Sequence, residues 1–309
     1  KIRRLKIMAE TKATKKGTLF SPELVTDIMS KVKGHSTLAK LSTQQPIPFS
    51  GAEQFVFNLD GNAQIVGEGE QKQAGVATVT SKIIKPFKFV YQARITDEFM
   101  LASDEKKLNY LQYYAEGFAK RIAEAFDIAA LHGLEPKSLT DGTFKDTNSF
   151  DGLVTGNVVT FAAATVDDNL DAAVQTIIAD GKEVTGIALS PLAAQSLSKV
   201  KDKNGVSLYP EFKMGQKPEN FFGLDLDVNK TLAVKKAQGG KADHAVVGDF
   251  QNAFKWGYAE NIPMEIIEYG DPDGSGRDLK AYNEICLRAE AYIGWSILDE
   301  KAFARVVEA

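Results

Sequence analysis

A single cysteine, Cys286, stands in 309 residues, so no internal disulfide framework can staple the chain. Histidine is nearly as scarce: His35, His132 and His244 are the only three, and none has a second metal-type ligand at usable sequence spacing. A zinc site needs three or four converging donors, so these histidines read as structural. No Gly-x-Ser-x-Gly elbow is present, and the one cysteine sits inside a long alternating segment, which leaves nucleophilic catalysis without apparatus. Uninterrupted apolar runs of the ~18 residues that a membrane helix needs are also missing. The start is basic rather than apolar, unlike a secretory signal. Together these absences lead to the expectation of a soluble cytosolic protein with no membrane partner, no cofactor, and no catalytic, cofactor-binding or metal-ligating residues.

What is present is ordinary globular material, 44% hydrophobic and 25% charged, enough to bury a core in one large domain or two moderate ones. Charge is uneven. Residues 1–16 carry Lys1, Arg3, Arg4, Lys6, Lys12, Lys15 and Lys16 against Glu10, a net +6, which leaves −10 for the rest of a chain whose total is −4. An acidic body argues against a dedicated DNA-reading domain. The basic start suits non-specific contact with nucleic acid, an acidic neighbour, or plain solvation.

Residues 1–45 show little regular apolar period and read as an arm, with one short helix predicted from Ser21-Pro22 to Gly34. From 46 to 95 the pattern turns to alternation: Phe55, Phe57 and Leu59 run into Asp60-Gly61, and alternation resumes at Val76, Thr78 and Thr80, then at Phe87, Phe89, Tyr91 and Ile95. The Glu53–Ser81 stretch has strand formers but few large apolar residues. Such a hairpin is marginal alone and needs a partner surface.

A long helix is predicted over Asp104–His132, capped by Ser103 and closed by Gly133, with Leu108, Leu111, Ala115, Phe118, Ile122, Phe126 and Ala129 as its stripe. Its 29 residues span roughly 44 Å at 1.5 Å each. Thr165 and Asp168 resemble a capping box opening a helix to Gly181, and Ser190-Pro191 opens another up to Val200. Strands are predicted around Ile187–Leu189, Phe222–Val228, Ala245–Val247, Phe254–Tyr258 and Met264–Ile267, an α+β mixture. Tyr282–Trp295 reads as one strand of 14 residues, roughly 46 Å long.

Three further patterns invite chemistry and are better read without it. Gly67-Glu68-Gly69 lacks the third glycine of a dinucleotide fingerprint, since Lys72 stands there, and its acids repel phosphate. Asp271, Asp273, Ser275 and Gly276 mimic the start of a calcium loop, but Tyr282 takes the place of the bidentate glutamate. Phe254, Trp256 and Tyr258 alternate as a core stripe does, with only Lys255 interleaved, too little for a base-stacking platform.

The order of these parts resembles the Hong Kong 97-type capsid fold of the tailed-bacteriophage major capsid family. The local matches are Val66-Gly67-Glu68-Gly69 in the extended loop, Lys85 through Ile95-Thr96-Asp97-Glu98-Phe99, Gly248-Asp249-Phe250, and Asn283-Glu284-Ile285 through Gly294-Trp295 and Ala302-Phe303. The resemblance covers about residues 20–307 and implies an N-arm (1–45), an extended loop with its base strands (46–95), a peripheral domain with a spine helix (96–164), an axial domain (165–268), and a return to the peripheral domain (269–309). It also implies a homo-oligomer of hexamers and pentamers closing into an icosahedral shell around double-stranded DNA. The implied partners are scaffold, portal and decoration proteins, and the implied place is the virion, assembled in the host cytoplasm. Some relatives weld subunits through a loop lysine. Lys72 is in a suitable loop, but no acceptor asparagine matches, so no cross-link is expected. An encapsulin nanocompartment shell is the alternative within the same fold, and a soluble α+β enzyme is the weaker alternative outside it.

Overall fold

A computed structural model of the chain describes residues 35–60, 63, 65–69, 71–72, 76–101, 104–259 and 264–309. The predicted helix from Ser21, the basic start, the Ser103 cap and the Asp60-Gly61 turn fall wholly or partly outside those residues. A short helix that the periodicity did not reveal, Thr37–Leu41, is capped by Ser36, whose side chain accepts from the Ala39 N–H. Strands β1 (Ala52–Asp60) and β2 (Val76–Ile84) pair antiparallel over nine positions, from Ala52↔Ile84 to Asp60↔Val76, as a sheet of their own.

β3 (Pro86–Thr96) leads through a 3-10 turn into the long helix Asp104–His132, whose bounds match the apolar stripe. Gly133 closes it at φ +63, a left-handed position that glycine adopts without cost. Two short helices, Lys145–Asn148 and Phe150–Leu153, then reach β4 (Val158–Thr160) and the helix Val166–Ala179. Thr165 stands at that helix's start but its side chain makes no capping bond, so the predicted capping box does not form; the Asn169 side chain instead accepts from the Ala162 N–H. β5 (Gly186–Leu189) is followed by the helix Pro191–Leu197, where Ser190 does cap.

The strand expected over Phe222–Val228 is two strands, β6 (Asn220–Phe221) and β7 (Leu224–Val228), turned by Phe222-Gly223. β8 (Asp243–Gly248), β9 (Phe254–Tyr258), β10 (Met264–Ile267), β11 (Glu284–Ile297) and β12 (Phe303–Val307) complete the chain. β11 is the axis of one sheet: β3 pairs along one side from Gly294↔Pro86 to Glu284↔Thr96, and β9 and β10 share the other. The second sheet has the order β4-β12-β8-β5-β7-β6. β12 was expected to return with the long strand, yet it lies between β4 and β8, where Phe303, Ala304 and Val306 are buried and Arg305, its one charge, meets Asp151 and Asp243.

Two cores result. One packs the long helix, through Phe118, Ile122 and Phe126, onto Trp256, Ile293 and Trp295; the other seats Leu170 and Ile177 on Ile187, Leu226 and Val247. The Trp295 indole donates to the Asn148 carbonyl at 2.7 Å and the Asn148 amide donates back to the Trp295 carbonyl at 2.8 Å, so a polar tip enters the core satisfied. The arm crosses β9 closely enough that Gly257 is required: a Cβ there would lie 1.6 Å from the Gln45 carbonyl oxygen.

Candidate assembly surfaces and buried polar clusters

Every second residue of a hairpin shares a face, and the register sets Phe55, Val79 and Ile83 on one face of the β1–β2 pair. They are 59%, 53% and 59% exposed, so this face is uncovered in the single subunit. At the base the hairpin is tied down: Ile84 is buried and packs over Gly294. At the tip Ile65, Glu68 and Lys72 are exposed. The geometry is that of a hairpin anchored beside β11 at its base, with an exposed apolar side and charged residues at its described tip.

The calcium-like loop holds an internal cation instead. Arg94 of β3 donates from Nε to Asp273 Oδ2 at 2.8 Å, from Nη2 to Asp271 Oδ1 at 2.6 Å, and from Nη1 to Glu284 Oε2 at 3.1 Å. Asp271 also accepts from the Ser275 and Gly276 N–H groups, an anchored turn. The bonds from Arg94 hold the Asp273 carboxyl well below the usual carboxylate range. Tyr282, at the position where a glutamate would be needed, lies under the Arg277 guanidinium at 4.2 Å. Arg94 thus occupies the centre of the carboxylates that a metal would need.

Sequence spacing isolates His132, yet the fold brings it against Asp151 and Asp243, with one ligand atom from each within 4.8 Å of the others. That donor set would suit a divalent metal by type, but Arg305 fills the space. Its Nη2 lies 2.6 Å from Asp151 Oδ1 and 2.9 Å from Asp243 Oδ1, and its Nε donates to Asp243 Oδ2 at 2.9 Å. His132 Nε2 donates to the Thr231 carbonyl at 2.9 Å, and Nδ1 faces Asp151 at 3.2 Å. Burial opposes a charged imidazole, but the Asp151 contact outweighs it and raises His132 above its ordinary value. Burial and the charge of Asp151 push Asp243 up to about 6. With His132 charged, two cations face two carboxylates, a neutral buried knot between the two cores.

Asp127 is a second buried acid, on the long helix. It accepts from Ser36 Oγ at 2.5 Å, from the Thr37 N–H at 2.9 Å and from Thr231 Oγ1 at 3.0 Å, with the Leu38 N–H at 3.4 Å. The carboxylate therefore clamps the first turn of the arm helix to the body. Burial pushes its carboxyl up to about 6 against those bonds. Among the described residues, one serine–histidine contact stands out: Ser190 Oγ lies 3.1 Å from His244 Nδ1, both side chains are buried, and Ser190 serves as a helix cap. No substrate reaches it. Phe254, Trp256 and Tyr258 are buried as the core stripe requires; His35 is exposed and offers its carbonyl to the Asn229 side chain.

Asp127, Asp151, Asp243 and Arg305 had no motif to announce them. The signal was one of context: Asp127 interrupts an apolar stripe between Phe126 and Ala129, and Arg305 interrupts the run Phe303–Val307. A charge in such a place has to find a partner. Among the described residues no helix is long and apolar enough to cross a membrane.

A projecting hairpin, a long helix laid on a long-stranded sheet, and a second α+β unit with its own core define a shell-forming subunit of the Hong Kong 97 type. The phage capsid family matches residues 16–307. The chain is 25% identical to the probable major capsid protein gp17 of Mycobacterium phage D29, over 96% of this chain and 92% of that one. It is 25% identical to the major capsid protein of Staphylococcus phage 80alpha, over 96% of this chain and 86% of that one. A solved chain from Mycobacterium phage Ogopogo superposes with a TM-score of 0.74 at 32% identity, covering 89% of this chain and 92% of that one. The chain belongs to the phage capsid family, and it is a major capsid protein of a tailed phage. Relatives named as phage capsid proteins do not favour the encapsulin alternative.

Proposed function

We propose that copies of this subunit form pentamers and hexamers that close into an icosahedral head around double-stranded DNA, and that the β1–β2 hairpin of each lies across an adjacent subunit of its ring. The observation that carries the reading is the uncovered Phe55, Val79 and Ile83 face on a hairpin tied to the body at its base through buried Ile84. Exposed apolar patches of that kind mark interaction surfaces. The subunit works by burying surface, and among the described residues Arg94 and Arg305 fill the two carboxylate clusters while the Ser190–His244 pair is buried, which supports a role without catalytic, cofactor-binding or metal-binding residues. DNA contact is non-specific, scaffold, portal and decoration proteins are the remaining partners, and assembly takes place in the host cytoplasm. Subunits are held without a covalent link through Lys72.

Replacing Gln54–Thr80 by a short Gly-Ser turn tests the hairpin's role. Standard interfaces bury ~1,600 Å², and a finger of this length contributes a large part of such an area. The fold should survive, because both cores lie elsewhere, while ring and shell formation is lost. Normal shells from the deletion would refute the proposal.

A further inference from the structure

The 3-10 turn Lys230–Ala233 links the charged knot to the arm. The Thr231 carbonyl accepts from His132 Nε2 at 2.9 Å, and the Thr231 hydroxyl donates to Asp127 at 3.0 Å. Asp127 in turn holds the Ser36 hydroxyl and the Thr37 N–H, while Asn229, the cap of the turn, donates to the His35 carbonyl at 3.1 Å. One chain of contacts therefore runs from Arg305 through Asp151, His132, Thr231 and Asp127 to the first turn of the Thr37–Leu41 helix. His132, Thr231, Asp127 and Ser36 are each at most 2% exposed, so a link that breaks is not simply replaced by water.

His132 is the link whose state can change. Both of its ring nitrogens face acceptors, the Thr231 carbonyl on one side and Asp151 Oδ2 at 3.2 Å on the other. Only the imidazolium carries two N–H groups. A neutral ring turns a lone pair toward one of those oxygens, and it leaves the knot with two carboxylates against the single cation Arg305. Asp151 faces His132 directly, with Asp243 and Arg305 behind it. Beyond Thr231 stands Asp127, and Lys230 of the same turn is held by Glu124 at 2.8 Å. A cavity of about 390 Å³ that His132 helps to line also holds Lys241 and Asp141, the latter paired with Lys145 and Lys236, and it gives the ring a route to water.

We infer that His132 is a proton-operated lock on the arm: charged, it fixes the Thr231 turn against Asp127 and seats the arm helix, and neutral, it frees the turn and the arm with it. The proton passes between His132 Nδ1 and water in the cavity, and no other bond changes. The Asp151 contact raises His132 above its ordinary 6.5. A group raised in this way contributes stability that is fully present below its unfolded value and is lost as pH rises through its folded value. The arm is therefore firm in mild acid and loose in mild base. The device belongs to the single subunit and stands or falls independently of the shell reading.

Hydrogen exchange of unassembled full-length subunits tests it, read as protection factors for the Thr37 and Leu38 amides that Asp127 holds. Asp127 titrates near 6 in wild type and in His132→Gln alike, so the ratio of their protection isolates His132. That ratio should fall about tenfold between pH 6 and pH 9, the size of one lost charge-assisted hydrogen bond. Over the same range it should stay constant for the Val166–Ala179 helix, which lies outside the chain of contacts. A constant ratio at the arm, or an equal fall in that helix, would overturn the inference. Should His132→Gln fail to fold, Thr231→Val decides, because it keeps the carbonyl that His132 binds and removes the hydroxyl that reaches Asp127. The ratio of wild-type to Thr231→Val protection at the arm should again fall about tenfold from pH 6 to pH 9. An unchanged ratio would overturn the inference.

Discussion

Asp127→Asn isolates one buried charge at the place where the arm joins the body. In the wild type the carboxyl is fully buried and titrates near 6, raised by that burial above the ordinary 3.8. A group whose folded value is raised contributes stability that is fully present below its unfolded value and is lost as pH rises through its folded value. The window is therefore about pH 4 to 6, and stability from this group grows as pH falls across it. A rise of about two units corresponds to roughly 3 kcal/mol at 1.36 kcal/mol per unit. Asparagine has no proton to take up, and the other acids, Asp243 among them, titrate alike in both proteins and cancel. Urea unfolding of unassembled subunits at pH 7 and pH 4 should thus show the wild type gaining roughly 2 to 2.5 kcal/mol on the variant, most of that full value. A gap that stays flat, or that closes as pH falls, would refute the assignment of a strained buried carboxylate.

Four further outcomes follow from the same geometry. Arg305→Met leaves Asp151 and Asp243 without their cation and should cost about 3–5 kcal/mol in denaturant unfolding. Trp295→Ala removes a fully buried indole that stacks at 4.7 Å on Phe87 and should cost about 3–5 kcal/mol. Arg94→Ala opens the centre of Asp271, Asp273 and Glu284, so calcium should raise the variant's melting temperature and leave the wild type's unchanged. Boiled denaturing gels of mature particles should show monomer bands that are the same in Lys72→Ala; a ladder that vanishes in the variant would contradict this.

The sequence made the regular parts of this fold readable because they obey one period over many residues. Asp104–His132 repeats apolar positions at spacings of three and four for 29 residues, and β11 alternates for 14, so both emerge close to their observed bounds. Local exceptions were hidden for physical reasons. The Thr37–Leu41 helix is five residues, far below the length at which propensity stabilises a helix, and it exists because Asp127 binds its first turn. The β6–β7 turn was invisible because Phe222 occupies a position where asparagine is the signal. β12's partners could not be read from its own residues, since a mostly apolar strand shows burial without naming the sheet. The His132–Asp151–Asp243–Arg305 knot joins four segments up to 173 positions apart, and only the fold brings them together.

Electron microscopy of the purified full-length chain tests the central claim most directly. Closed icosahedral shells, with density for the 52–84 hairpin crossing onto a neighbouring subunit, are the expected result. A stable species of 33.7 kDa that forms neither rings nor shells, or a hairpin packed wholly on its own subunit, would contradict the account.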